Sequence, residues 1–287
     1  MPDRRQLRLK ILLLPSLALM VLFFVVPLST LMGTSFADFQ AGEIGKAFSL
    51  ANYLALAQDP FYRQIIIRTV LIATVTTALC VVLGYPIAAG IVRAYGLWRP
   101  VLLILVLMPL LIGGVIRCYG WMLILDEHGL VNNLLLALGI IDSPASLLFG
   151  FWSVVITMVE VLLPFFVLSM LGTLSNIDPL LERASLSLGA SKFQTFFQII
   201  FPLALPGVIA GASIVFSLAL TIFVVPRIIG GPSYLMLSTL AYQQTSEVGN
   251  VPFGAAVAVL MLVLTLIVLL AVNRFERGSD LNKAKAS

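Results

Sequence analysis

Six long apolar runs, separated by short polar segments, dominate the sequence. They cover residues 11–32, 65–92, 101–125, 147–171, 199–225 and 253–272. Each run is near or above the roughly 20 residues that an α-helix needs to cross the hydrocarbon layer of a bilayer. Because only internal hydrogen bonding satisfies the backbone in lipid, the runs predict helices rather than strands. The pattern predicts an all-α integral membrane protein with six transmembrane helices and both termini on the same side.

The composition supports a membrane protein and excludes several other classes. Hydrophobic residues make up 60% of the chain and charged residues only 10%, and the mean hydropathy is +1.09, values outside the range of soluble domains. Cys80 and Cys118 lie inside apolar runs and His128 stands alone, so no disulfide framework or metal site is expected. The sequence has no internal repeats and no Gly-Lys-Ser/Thr phosphate loop, so we expect the chain not to bind or hydrolyse ATP.

Basic residues predict the orientation in the membrane, because short cytoplasmic loops carry an excess of lysine and arginine. The net charge of +4 comes mostly from the ends and the short loops, which indicates topology rather than nucleic-acid binding. One side is predicted to hold Arg4, Arg5, Arg8, Lys10, Arg93, Arg99, Arg183, Lys192, Arg274, Arg277, Lys283 and Lys285. We therefore predict a cytoplasmic tail at 1–10, one transmembrane domain at 11–273 and a second cytoplasmic tail at 274–287.

The first apolar run also has the polarity of a signal peptide. A signal peptide, however, has a shorter apolar core of about 7–15 residues and ends in a small-residue cleavage site. The length of this run favours an uncleaved first span.

The segment 177–207 is the longest charged and serine-rich interruption, and it has the pattern of a short helix. Asp178 suits the N-cap, Pro179 suits the first helical position, and Gly189 can end the helix in a left-handed conformation. These signals predict a helix from about Pro179 to Leu188.

One face of this predicted helix is apolar. Leu181, Ala184 and Leu188 share it, and the strip is too narrow to cross a membrane. Such a helix lies on a membrane surface or forms a docking site for another protein. The alternative is a solvated helix in a loop between two spans.

The segment resembles the cytoplasmic loop of membrane subunits of binding-protein-dependent ABC importers. The family pattern is Glu-Ala-Ala, three residues, Gly, nine residues, Ile, one residue and Leu-Pro. Gly189, Ile199 and Pro202 match this pattern, with Phe in place of Leu before the proline, and Ala184 and Ser185 take the two alanine positions. Arg183 stands in the position of the family's Glu. Glu182 lies one residue earlier, which is about 100° of helix rotation.

Two further stretches resemble permeases of the spermidine/putrescine branch. The first is the loop at 126–135, which includes Gly-Leu-Val-Asn-Asn. Its pattern predicts a turn followed by a short apolar helix. The second is the stretch at 223–232, which includes Phe-Val-Val-Pro and Gly-Gly-Pro. The resemblance implies a type I ABC importer permease fold in a bacterial inner membrane, with the segment 177–207 as the coupling segment.

The resemblance also implies a set of partners. These are a second homologous permease subunit, two cytoplasmic subunits that bind ATP and Mg, and a periplasmic binding protein that delivers a small solute, either a polyamine or an opine-like compound. By the same resemblance this chain binds no cofactor itself.

Arg117 and Glu160 are the ionisable residues placed most clearly at membrane depth, where a charge is costly unless it is paired or faces water. They are candidates for an ion pair that fixes the packing of the third and fourth spans. Alternatively, Glu160 faces a solute path beside Pro164, whose kink would free backbone carbonyls. The two backbones differ by about 8 Å in depth at about 1.5 Å per residue, a gap that two long side chains nearly close. Because the depths do not quite match and Glu160 lies near mid-membrane beside Pro164, the path is slightly favoured.

Two other functional classes fit the sequence less well. A secondary transporter or channel could use Glu160 as a proton- or cation-linked site, but it would need no docking helix and often shows inverted repeats. An intramembrane enzyme is disfavoured because no nucleophile or metal constellation falls at membrane depth. The predicted outer loops carry an acid excess, which leans slightly to a cationic solute, although the exclusion of basic residues from outer loops alone accounts for such an excess.

Overall fold

The computed structural model describes residues 15–40, 43–232 and 234–286, and most of the chain in these ranges is helical. The helices are α1 (Pro15–Ser35), α2 (Ala51–Gln58), α3 (Pro60–Arg93), α4 (Trp98–Leu107), α5 (Gly114–Leu125), α6 (Leu130–Ala137), α7 (Phe151–Ser175), α8 (Pro179–Ser187), α9 (Lys192–Thr221), α10 (Leu237–Tyr242) and α11 (Val251–Ala286). Two strands, β1 (Ala37–Gln40) and β2 (Glu43–Phe48), form an antiparallel pair between α1 and α2.

Five of these helices are long and apolar enough to cross a membrane: α1, α3, α7, α9 and the part of α11 at Val251–Val272. A sixth span is formed if the bent pair Trp98–Leu111 and Gly114–Ala137 counts as one. The prediction of an all-α membrane protein with about six spans is therefore confirmed. The division into two tails and one transmembrane domain stays a prediction, and residues 1–10 lie outside the described residues.

The prediction of a continuous third span at 101–125 is wrong. A 3₁₀ turn at Met108–Leu111 follows α4, the backbone is extended at Ile112, and the chain bends by 97° before α5. Pro109 lacks an N–H group for the helical ladder, and Gly113 and Gly114 provide no side chain to stabilise a continuous helix. Hydropathy does not detect this break, because the run remains apolar throughout.

The fifth predicted span also ends earlier than expected. Helix α9 stops at Thr221 and Ile222 is extended, although the apolar run continues to residue 225. A π-helical turn at Pro226–Gly230 follows, and its Ile229 carbonyl accepts a hydrogen bond from the Phe149 amide at 3.2 Å. The apolar run is therefore interrupted at residues 222–223, and helical structure resumes at Val224.

The chain divides into two compact units. The first comprises the described residues up to Arg63 together with Leu240–Leu262. In it, the Asn52 amide donates hydrogen bonds to the carbonyls of Ser35 and Ala37, and the hydroxyls of Ser35 and Tyr53 lie 2.7 Å apart. These bonds fix the start of the β-hairpin against α2.

The second unit comprises Gln64–Thr239 and the described residues from Val263. Its core lies along α7, and the Phe166 ring is fully buried there. A Cβ atom added at Gly84 of α3 or at Gly211 of α9 would collide with this ring. A third close approach joins Gly207 to the Thr173 side chain. Small residues that let helices approach closely are typical of membrane helix packing, and here they bring α3 and α9 against α7.

Candidate functional site

Helix α8 has the local structure that the sequence predicts. The Asp178 carboxylate accepts a hydrogen bond from the Leu180 amide at 2.8 Å, and Pro179 occupies the first helical position. A side-chain acceptor at this position satisfies an amide that the helix itself leaves unpaired. The predicted N-cap is therefore confirmed.

The C-terminal end of α8 is closed by Gly189, whose φ is +89°. The Gly189 amide donates to the Leu186 carbonyl and the Ala190 amide to the Ser185 carbonyl, which is the Schellman pattern. A Cβ atom at Gly189 would meet nothing within 4 Å. The glycine is therefore required by the backbone conformation and not by a lack of space.

A second set of contacts holds α8 to the start of α9. The buried hydroxyls of Ser185 and Thr195 lie 3.0 Å apart. Ser191 and Gln194 form a reciprocal capping box at the N-terminus of α9. The hydroxyl pair therefore links α8 to the first turn of α9, and the capping box begins α9 directly after the Gly189 turn.

A salt bridge that the sequence did not predict joins α8 to the end of α3. Arg93 Nη2 lies 2.9 Å from Glu182 Oε2. Arg93 and Glu182 also line a cleft of about 570 Å³ between the ends of α3 and α7 and helix α8, together with Tyr85, Asp178 and Phe196. The two residues are 89 positions apart in sequence, and no local pattern indicates that they meet.

The apolar strip of α8 faces outward. Leu181, Ala184 and Leu188 are exposed, Leu188 by 89%, and Arg183 is exposed beside them. Ser185, in contrast, is buried. We call this surface, formed by Leu181, Arg183, Ala184 and Leu188, the docking face of α8, because the sequence predicts that a partner binds there; that binding stays a prediction.

Ile199 and Pro202 lie where the chain enters the α9 span. Ile199 belongs to a π-helical turn at Phe196–Ile200, and Pro202 follows in the next turn. Pro202 has no N–H to donate to the Gln198 carbonyl, and such a gap in the ladder is a usual cause of local π geometry.

Arg117 and Glu160 form an ion pair between α5 and α7. Arg117 Nη1 lies 3.2 Å from Glu160 Oε1, and the two side chains are 12% and 28% exposed. The structure thus shows the ion-pair alternative, since the difference in depth expected from the sequence does not keep the two side chains apart; a role of Glu160 in a solute path stays a prediction. The bend before α5 changes the position of Arg117 relative to α7.

Pro164 is buried inside α7, which continues without interruption from Phe151 to Ser175. The residue four positions before it is Glu160, whose carbonyl oxygen would accept a helical hydrogen bond from position 164. A proline has no N–H to donate. Glu160 therefore has a main-chain oxygen without its regular helix donor in addition to its carboxylate.

The loop at 126–135 contains the predicted turn and short helix, and the structure explains its asparagine. The buried Asn132 amide donates to the carbonyls of Asp126 and Ala145 and accepts from the Ala145 amide. A Cβ atom at Gly129 would collide with the carbonyls of Leu123 and Ile124. This motif therefore orders the loop, since its polar groups are used internally.

Comparison with known proteins identifies the family. Residues 80–280 match the family described as "Binding-protein-dependent transport system inner membrane component". The chain is 36% identical over 259 residues to the spermidine/putrescine transport system permease protein PotB of Escherichia coli (strain K12), covering 90% of this chain and 94% of PotB. It is also 36% identical over 128 residues to PotC of the same strain, covering 45% of this chain and 48% of PotC.

A solved structure shows the same fold. In the crystal structure of a bacterial alginate ABC transporter in complex with alginate pentasaccharide-bound periplasmic protein, one chain matches with a TM-score of 0.76 at 20% identity. The match covers 96% of this chain and 95% of the other. The fold is thus that of type I ABC importer permeases. The chain belongs to the family of binding-protein-dependent transport system inner membrane components, and it is a multi-pass inner-membrane permease of an ABC importer, not itself an enzyme.

Proposed function

We propose that this chain is one permease subunit of an ATP-driven importer that carries a polyamine such as spermidine or putrescine. The observation that carries the proposal is the 36% identity to PotB over 90% of the chain. The substrate then reaches the permease from a periplasmic binding protein. An opine-like solute is the alternative cargo.

The architecture of α8 supports its role as the coupling helix. It is capped at both ends, it is bonded to α9 through Ser185 and Thr195, and its docking face is exposed. In this proposal two cytoplasmic subunits bind ATP and Mg, and their closure pushes on α8. The motion then passes into α9 and re-orients the spans, while this chain binds no nucleotide.

A second homologous permease subunit completes the path. The similarity of this chain to both PotB and PotC of one strain supports a pair of related but different subunits. The apolar window of α1, of which no part is buried within this chain, fits contact with membrane lipid or with that second subunit.

Uptake in cells tests the proposal. A strain without its own polyamine uptake would express this chain with its partner subunits, and entry of radiolabelled putrescine and spermidine would be measured. We expect uptake that requires the permease, the binding protein and the ATPase subunits, and that excess unlabelled polyamine abolishes.

Two outcomes contradict the proposal. Competition by an opine but not by a polyamine would reassign the cargo. Uptake that continues without the ATPase subunits and follows the proton gradient would favour the secondary transporter.

A further inference from the structure

The Arg117–Glu160 pair is incomplete. A guanidinium and a carboxylate that serve as a structural clamp often form two parallel hydrogen bonds. Here the structure gives a single contact of 3.2 Å between Arg117 Nη1 and Glu160 Oε1. Arg117 Nε and Glu160 Oε2 are buried and have no hydrogen-bond partner among the described residues. The pair therefore leaves one strong acceptor available on Glu160.

Glu160 has a second acceptor at the same position. Its carbonyl oxygen lacks the regular helix donor because residue 164 is proline. The residue lies about 14 Å along α7 from Phe151, at the rise of about 1.5 Å per residue. Ionisable groups at such depth in a membrane span are costly and commonly mark solute paths. A carboxylate and a free carbonyl suit a primary ammonium group, which offers three donors.

Arg117 is attached to a separate element. It is the fourth residue of α5, which begins at Gly114 directly after the 97° bend. A Cβ atom at Gly114 would meet nothing within 4 Å, so the start of α5 is not tightly enclosed. The guanidinium and the carboxylate are thus held by different helices, and a single contact of 3.2 Å joins them.

We propose that Arg117 is a built-in counter-ion at a cation site on Glu160, and that an ammonium group of the substrate displaces it during transport. This inference rests on the proposed polyamine import. In the substrate-free state the arginine compensates the carboxylate charge and blocks small inorganic cations. When a polyamine passes, one cation replaces another, so the site stays compensated at each stage.

Binding of spermidine to the whole transporter tests the inference. The complex would be purified with all its subunits, placed in lipid nanodiscs without the binding protein, and titrated with radiolabelled spermidine. We expect Arg117→Gln to bind spermidine about tenfold more tightly than wild type, because a competing charged partner has been removed. Glu160→Gln should weaken binding by about tenfold or more, and the double variant should behave like Glu160→Gln.

Two control variants separate this effect from misfolding. Arg117→Lys keeps a cation at the site and should bind spermidine as the wild type does. Arg99→Gln makes the same chemical change at an exposed arginine and should change nothing. The amount of assembled complex is measured for each variant.

Several results would overturn the inference. The inference is wrong if Arg117→Gln binds spermidine as the wild type does or more weakly. It is also wrong if no variant binds spermidine. A loss of assembled complex in both single variants that the double variant restores would show a packing clamp. Uptake by wild-type cells distinguishes the two proposals. If these cells take up no polyamine, the proposed function is wrong. If uptake is normal and Arg117→Gln binds spermidine as the wild type does, only the counter-ion role of Arg117 is wrong.

Discussion

Gly189 shows how one residue determines the geometry at the end of α8. Its φ of +89° is in the region that side chains with a Cβ atom avoid, and the surrounding space is open. We predict that Gly189→Val strains the turn by about 1–2 kcal/mol and shifts α8. The ATPase subunits should then co-purify less well and respond less to the loaded binding protein, while the permease still inserts in the membrane.

Two comparisons make this prediction specific. Gly189→Asn should keep most of the activity, because asparagine tolerates the left-handed region. Gly172→Val serves as a matched control for Gly189→Val, since a Cβ atom at this helical glycine also meets nothing within 4 Å. Normal coupling in Gly189→Val would show that the turn does not position the docking face.

At the residue scale, the sequence predicted those features that depend on near neighbours. Asp178, Pro179 and Gly189 act within a few residues along the chain, so their types alone indicate the two ends of α8. The salt bridge between Arg93 and Glu182 and the contact between Arg117 and Glu160 join separate helices. Such contacts depend on how the helices pack, which the local pattern does not contain.

At the element scale, the Arg93–Glu182 salt bridge joins α8 to the end of α3. Exposed pairs of this kind contribute about 0–1 kcal/mol to stability, so we expect the pair to influence the orientation of α8 and not to stabilise the fold. The family pattern has a Glu in this part of the helix, where this chain has Arg183, and Glu182 one residue earlier is the nearest acid that could contact the ATPase. The structure instead engages its carboxylate with Arg93 and leaves Arg183 exposed. Contact of either residue with the ATPase stays a prediction.

A charge reversal tests the orienting role. We predict that Arg93→Glu, like Glu182→Ala, lowers the stimulation of ATP hydrolysis by the loaded binding protein. The double variant Arg93→Glu with Glu182→Arg should restore much of it, because the pair is rebuilt in the opposite sense. The measurement is ATPase activity of the reconstituted transporter with and without loaded binding protein.

The same ATPase assay includes a control variant at Arg183. Arg183→Ala changes a neighbouring exposed arginine without touching the pair, so we expect it to have little effect. If Arg93→Glu is normal and Glu182→Ala is uncoupled, Glu182 contacts the ATPase directly. A strong effect of Arg183→Ala alone would instead assign that contact to Arg183.

The break in the third span is a feature of a whole element that hydropathy did not predict. Hydropathy located the membrane spans because apolar length is a sufficient signal for them. It did not locate the 97° bend, since residues 101–125 are apolar on both sides of it. Pro109, Gly113 and Gly114 are the local signal for this break, but prolines within other spans, such as Pro164, leave the helix continuous.

At the scale of the whole molecule, close helix contacts decide the packing of the second unit. Gly84 and Gly211 both face the Phe166 ring, and Gly207 faces Thr173. The chain has 21 glycines, and nothing in their neighbouring residues distinguishes these three from glycines such as Gly172, which face open space. The number of spans could therefore be predicted from the sequence, whereas their packing could not.

The orientation of the whole protein is the remaining prediction, and it determines whether α8 can meet cytoplasmic partners. The excess of basic residues places α8 and both termini in the cytoplasm. The two native cysteines are buried, so a membrane-impermeant thiol reagent should give a low background.

We predict that Lys192→Cys, at an exposed position beside α8, reacts only after the membrane is opened, as does a cysteine added at the C-terminus. Asp142→Cys, exposed in the loop before α7, should react in intact cells once the outer membrane is permeabilised. Labelling of Lys192→Cys under those same conditions would place α8 outside the cytoplasm and remove its coupling role.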